Sequence, residues 1–281
     1  MIGYQNGQYV REEEMSISPF DHGFLYGMGI FETIRLYEGH PFLLDGHLRR
    51  LNEGLQTLYI DYVLEKEEVV EILQQLSTRN GLQHARVRIN VSAGEGVVGL
   101  PQRPYTKPNI LVFISPLPEP HEQLHEKDAV LLNIRRNTPE TDRRLKSLHY
   151  GNNIAAKMEL QHQPECEGIF LNEEGYVAEA ITSNIFFVKK KTLYTPEQST
   201  GILLGITRQF ILLLADELGF SVQEGCYTVD EIAEAEEVFI TNSIQEIVAI
   251  REIVDVGKYK GASGQVTNAL FGAYKQNRSI L

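Results

Sequence analysis

Apolar positions along this chain fall into two rhythms. Leu48, Leu51, Leu55 and Leu58 recur three and four residues apart, which predicts a helix whose N-cap is Asp45. Val69, Ile72, Leu73 and Leu76 repeat that spacing and predict a second helix over residues 67–80, stopped by Gly81. Residues 85–92 alternate instead, with Val87, Ile89 and Val91 on one strand face and Arg86, Arg88 and Asn90 on the other. Shorter apolar runs at residues 31–37, 109–115, 129–134, 168–171, 176–180, 184–188 and 238–240 predict further strands. Helical spacing returns in Ile154, Ala155 and Met158, and in Phe210, Leu213, Leu214 and Leu218, while Thr228 to Glu231 forms a capping box. The run Pro116-Leu117-Pro118-Glu119-Pro120 stiffens the chain into an extended connection. It places a domain boundary there: residues 1–115, a linker over 116–126, and a second domain over 127–281.

Composition narrows the classes. The 281 residues are 42% hydrophobic and 23% charged, which is ordinary for a globular protein. A net charge of −12 argues against nucleic acid as a partner. An anionic substrate then needs a local basic pocket working against the overall field. No apolar run approaches the roughly 20 residues of a membrane span, and the first residues lack the pattern of a signal peptide. Cys166 and Cys226 form no CxxC pair, so free thiols and a cytoplasmic location are expected.

Candidate chemistry centres on Lys146. It sits just ahead of an amphipathic segment and four residues before Tyr150, placed to hold a carbonyl cofactor as a Schiff base. That role needs an uncharged amine, and Arg143 and Arg144 could supply the cations that favour one. Arg50 adjoins the leucine stripe and could point inward. Arg86 and Arg88, two apart on one strand face, could bind a carboxylate. Glu179 lies in an otherwise apolar hairpin, a costly place for a carboxylate without a partner. Gly205, Ile206 and Thr207 lead into a helix whose N-terminus favours a phosphate, and Ser243 ends a strand as another anion contact. Taken singly, each of these residues also reads as a solvated surface group. Gly23, Gly27 and Gly29 do not have the spacing of a dinucleotide fingerprint, and they let the backbone approach a ligand or another chain closely. The pentapeptide His121-Glu122-Gln123-Leu124-His125 matches the HExxH zinc-hydrolase pattern, but three prolines precede it and it has no apolar stripe, so no metal site is expected.

The ordered set His47-x-x-Arg50-Leu51, Lys146, Glu179 with Ser183-Asn184-Ile185-Phe186, and Gly205-Ile206-Thr207-Arg208 resembles the pyridoxal-phosphate enzymes of fold type IV. The resemblance implies an α/β (α+β) fold like that of D-amino-acid aminotransferases. A small N-terminal α/β domain would precede a larger, strand-rich C-terminal one, with pyridoxal 5'-phosphate between them in a homodimer. It implies that Lys146 anchors the cofactor, that Glu179 keeps the pyridine nitrogen protonated, and that Arg50, Ile206, Thr207 and Ser243 hold the phosphate. Tyr150 would sit near the phenolate oxygen, and Asn184 belongs to the same cofactor set. Within the family, residues 18–27 and the runs at residues 135–139 and 144–147 resemble the 4-amino-4-deoxychorismate lyases of Gram-positive bacteria. That likeness implies release of 4-aminobenzoate and pyruvate from a dicarboxylate bound by Arg35, Arg86 and Arg88. It also gives Thr33 a part in protonating the leaving group. Phe31-Glu32-x-x-Arg35 is shared with branched-chain aminotransferases, so transamination of branched-chain or D-amino acids is the alternative.

Overall fold

The computed structural model describes residues 1–280, which divide into two compact units. The first holds residues 1–120, 145–149 and the C-terminal residues from Arg278. Its elements are β1 (Ile2–Gln5), β2 (Gln8–Arg11), α1 (His22–Tyr26), β3 (Gly29–Tyr37), β4 (His40–Pro41), α2 (Leu44–Thr57), α3 (Lys66–Asn80), β5 (Ala85–Ser92) and β6 (Asn109–Pro116). The strands form one sheet in the order β2-β1-β6-β5-β3-β4, with β3, β5 and β6 antiparallel to their neighbours. Ile30, Ile34 and Leu36 of β3 and Val87, Ile89 and Val91 of β5 are almost wholly buried with Leu51 and Leu55 of α2 and Leu73 and Leu76 of α3. Truncating one of these side chains to alanine costs about 2–5 kcal/mol.

Alternation sends the other half of each strand to the opposite sheet face. Register places Phe31 opposite Asn90, Thr33 opposite Arg88 and Arg35 opposite Arg86. These six side chains therefore share one face.

The second unit holds residues 121–144 and 150–277. Its elements are β7 (His125–Leu131), α4 (Gly151–Glu159), β8 (Glu167–Leu171), β9 (Val177–Ala180), β10 (Asn184–Lys189), β11 (Thr192–Pro196), α5 (Ile206–Glu217), β12 (Val222–Gly225), α6 (Val229–Ala233), β13 (Glu237–Asn242), β14 (Glu246–Ile253), β15 (Gly257–Lys258) and α7 (Gln265–Asn277). Eight strands run in the order β12-β11-β10-β13-β14-β7-β8-β9, and β15 pairs with β14. The sheet curls until β9 meets β10, enclosing Ile169, Ile185, Phe187, Ile240 and Ile250.

Three local readings need correction. Asp45 is not the N-cap of α2: Leu43 holds that position in the left-handed region, and Asp45 lies in the first turn, bonded to Lys66 at 2.7 Å. The apolar stripe of α4 faces outward, with Ile154 58% and Met158 57% exposed, while Asn153, Ala156 and Leu160 turn inward. The reason is polar: Asn153 Nδ2 donates to Ile181 O at 2.5 Å and its Oδ1 accepts from Arg136, which fixes the helix rotation. On α5, Phe210, Ile211, Leu214 and Ala215 are buried, whereas Leu213 and Leu218 are exposed. By contrast, α3 ends at Gly81 in the left-handed conformation, and the Thr228–Glu231 capping box is present, as their sequences predict.

Candidate active site

The lysine segment is built into the first unit as an added strand. Phe31 N donates to Lys146 O at 2.9 Å, Leu148 N donates to Gly29 O at 3.0 Å, and Ile30 bridges Ser147. The glycines explain how it fits. A Cβ on Gly29 would stand 2.7 Å from Leu148 Cδ1 and 2.6 Å from Val91 O, and one on Gly27 would enter the His149 ring. Their missing side chains admit residues 146–149, so the close approach is to a segment of the same chain rather than to a ligand or a second chain. With its backbone fixed, Lys146 places Nζ 4.7 Å from the centre of the Phe31 ring. The guanidinium of Arg88 lies on the same ring at 3.6 Å and donates through Nε to Asn90 at 2.9 Å. Arg35 is almost fully buried, with Nη2 donating to Pro118 O at 3.1 Å, while Arg86 is exposed and bonded to Ser115. Thr33, Arg35, Arg86 and Arg88 thus stand on the sheet face that carries Phe31, the ring beneath the lysine amine.

Arg50 turns inward, as its place beside the leucine stripe predicts. Its Nε donates to Glu32 Oε1 and its Nη2 to Glu32 Oε2, both at 2.7 Å. His47, one turn earlier on α2, adds a third bond to Oε2 at 2.7 Å. Burial alone would raise the Glu32 carboxyl, but Arg50 and His47 outweigh it and hold the group well below the usual carboxylate range. Burial pushes the His47 imidazole below its ordinary value despite the carboxylate beside it. Glu32, His47 and Arg50 thus form one hydrogen-bonded trio.

The second unit assembles another buried carboxylate. Glu179 on β9 is 5% exposed. Arg136 Nε donates to its Oε1 at 2.9 Å, Leu203 N to its Oε2 at 2.9 Å, and Asn184 Nδ2 approaches Oε2 at 3.4 Å. Arg144 Nε stands 3.9 Å away and donates to Gly201 O at 2.5 Å. Burial and the neighbouring Arg136 bring the Arg144 guanidinium down to about 10. Arg144, expected to sit by the lysine, instead belongs to the Glu179 cluster. Sequence reading gave Arg136 no role. Its partner lies 43 residues away, and an arginine in a polar loop carries no local signal of burial.

Around α5, Gly205 caps the helix without a side chain and Thr207 is buried in the first turn. Such an end presents backbone N–H groups and the positive pole of the helix dipole. Arg208 is turned away, its Nη2 donating to Pro196 O and to Glu224. Asn184 Nδ2 also donates to Leu203 O at 2.8 Å, holding the segment before the helix. Asn242 shapes the turn carrying Ser243: its Oδ1 accepts from Ile244 N and Gln245 N, and its Nδ2 donates to Ser183. Tyr150 is the N-cap of α4, half-buried. The residues of the HExxH match lie in irregular chain and at the start of β7, not on a helix, and Glu122 pairs with Lys275 at 2.7 Å. Among the described residues, no three His, Cys, Asp or Glu side chains converge as metal ligands.

Each unit holds groups of the chemistry a phosphorylated pyridoxal calls for: an amine and an arginine in the first, a buried carboxylate and a helix N-terminus in the second. Comparisons with known proteins agree. The aminodeoxychorismate lyase of Bacillus subtilis (strain 168) is 46% identical over 97% of this chain and 93% of its own. The D-alanine aminotransferase of Bacillus licheniformis is 28% identical over 93% of this chain and 92% of its own. The branched-chain aminotransferase of Thermoproteus uzoniensis, solved with norvaline, superposes with a TM-score of 0.89 at 27% identity, covering 99% of this chain and 94% of that one. The mixed α/β architecture is thus that of these enzymes. With the model for Amino-transferase class IV matched over residues 29–253, most of both units, the chain belongs to the class IV aminotransferase family.

Proposed function

We propose that this protein is a pyridoxal 5'-phosphate-dependent lyase that converts 4-amino-4-deoxychorismate to 4-aminobenzoate and pyruvate. The observation that carries the reading is the sheet face where Thr33, Arg35, Arg86 and Arg88 gather beside the ring under Lys146. Three arginines on one face suit a dicarboxylate better than a branched-chain amino acid, whose side chain is apolar. The 46% identity to a lyase supports the same choice.

Bound, the cofactor supplies an electron sink for the carbon bearing the substrate amine. Lys146 would anchor it through Nζ and act as the base that takes the proton from that carbon. The ether C–O bond to the enolpyruvyl group then breaks, and the ring becomes aromatic. Thr33 hands the departing enolpyruvate the proton that makes it pyruvate. The two products contain all the atoms of the substrate, so no water or second reactant is consumed. Arg35, Arg86 and Arg88 receive the carboxylates. Glu179, with Asn184 bracing it, would take the ring nitrogen. Arg50, the N–H groups of Ile206 and Thr207, and Ser243 would hold the phosphate, and Tyr150 would pair with the phenolate oxygen.

A homodimer belongs to the proposal. Phe24, Val97, Val98 and Leu100 are 67–88% exposed in the first unit, and α4 exposes Ile154 and Met158, one turn apart on one face. Apolar side chains left open in this way suit a face that a second copy of the chain would cover. No helix among the described residues is long and apolar enough to cross a membrane, and we assign the enzyme to the cytoplasm.

The test is product analysis. Purified protein given 4-amino-4-deoxychorismate is expected to release 4-aminobenzoate and pyruvate in equal amounts, and to transfer the amino group of leucine or D-alanine to 2-oxoglutarate far more slowly. Rapid transamination without 4-aminobenzoate would make it an aminotransferase instead.

A further inference from the structure

The reading above uses Arg50 and leaves its two partners unexplained. Glu32 interrupts an apolar strand face: its neighbours on that face, Ile30 and Ile34, are core residues. Its side chain is 0% exposed and that of His47 is 2% exposed, so solvent reaches the trio only through Arg50, at 18%. A buried ion pair is a poor source of stability, because desolvation offsets most of its Coulomb gain. An arginine at the edge of solvent needs no buried carboxylate to be tolerated. What the trio supplies is geometry. Two parallel bonds along the Nε–Nη2 edge fix the guanidinium plane, and the third, from His47 Nδ1, stops the carboxylate from turning. His47 and Arg50 are three apart on α2, so both reach the same point of β3.

We propose that Glu32, held by His47, is a positioning residue that orients Arg50 to present its remaining N–H groups to a phosphate monoester. This rests on the reading that Arg50 binds the cofactor phosphate. Charge and geometry make opposite predictions here. The Glu32 carboxylate cancels much of the arginine's field, so on charge alone its removal would tighten anion binding. If orientation governs, removal loosens it, because a freely rotating guanidinium must be ordered again on binding.

The experiment compares two probes on the full chain: pyridoxal 5'-phosphate and pyridoxal, the same ring without phosphate. Dissociation constants come from absorbance titration, and the quantity read is their ratio on one sample, from which any unfolded fraction cancels. Glu32→Gln is expected to lower the preference for the phosphorylated probe by about tenfold, the scale of one charge-assisted bond. Affinity for pyridoxal should stay unchanged. Glu32→Asp, which keeps the charge but withdraws the carboxylate, is expected to lower the ratio too. In an Arg50→Gln background, Glu32→Gln should change nothing further. A ratio that stays constant or rises in Glu32→Gln overturns the proposal, and so does a parallel loss for both probes, the mark of a merely structural residue. If Arg50→Gln itself leaves the wild-type ratio, the phosphate assignment of Arg50 falls, and the role of Glu32 falls with it. If only the Glu32 variants are silent, the assignment of Arg50 stands and this proposal alone fails.

Discussion

Glu32 in the first unit and Glu179 in the second are the same side chain in the same predicament, a carboxylate on an inward strand position. Their surroundings differ. Glu32 bonds to Arg50 and His47, and Lys146 adds to the positive field around His47. Glu179 has Arg136 at 2.9 Å and Arg144 at 3.9 Å, and Glu140 offsets part of the Arg144 charge. In the proposal, the first cluster orients a cation toward an incoming anion, and the second sets a carboxylate held by arginine opposite the ring nitrogen. Both are a buried Glu–Arg pair, and what surrounds the pair separates their proposed uses.

The strongest way to break this comparison leaves both carboxylates in place. Lys146→Ala is expected to abolish turnover and the absorption of lysine-bound cofactor, with the circular dichroism of the fold preserved. A wild-type rate in that variant would move the anchor to another lysine, such as Lys157, and leave neither carboxylate with its assigned partner. Glu179→Gln comes next. It should retain cofactor yet lose about two orders of magnitude or more in kcat, because a neutral amide no longer holds the ring nitrogen protonated. An unchanged kcat at saturating cofactor would remove the distinction between the clusters.

The smallest effect is on stability in acid. The folded-state values of Glu32 and His47 both lie below their ordinary 4.5 and 6.5, so the unfolded chain takes up protons first. Their contribution is complete above about pH 6.5. It is lost as pH falls, first through His47 and then, below about 4.5, through Glu32. Glu167, which burial raises above 4.5, runs in the opposite sense in the second unit. Thermal melts from pH 7 to 4 should therefore fall in midpoint, and Glu32→Gln should flatten the lower part of that slope. A midpoint in the wild type that does not respond to pH would refute the assignment.

How much of this was legible beforehand follows from where each signal lies. A charged residue inside an apolar pattern announces itself, as Glu179 does, whereas Arg50 beside its leucine stripe reads equally as a solvated arginine. Gly81 and the Thr228–Glu231 box were readable because caps are local. Helix rotation was not readable where a polar contact sets it: Asn153 is buried and Ile154 exposed because of bonds to Ile181 and Arg136, which no periodicity encodes. The histidine and arginine partners of the two carboxylates lie 15 to 43 residues away in sequence, and only the folded chain brings them together.

The added strand at residues 145–149 has a consequence for how the chain acquires its structure. Lys146 docks beside Phe31, about 115 residues upstream, and the segments on both sides of it fold with the other unit. Closing so long a loop carries an entropic cost that local contacts cannot offset until β3 exists to receive it. During synthesis the first 120 residues can build most of their sheet while Lys146 has yet to emerge. The lysine is then a late arrival in folding, seated by two backbone bonds and two glycines once its docking strand is complete.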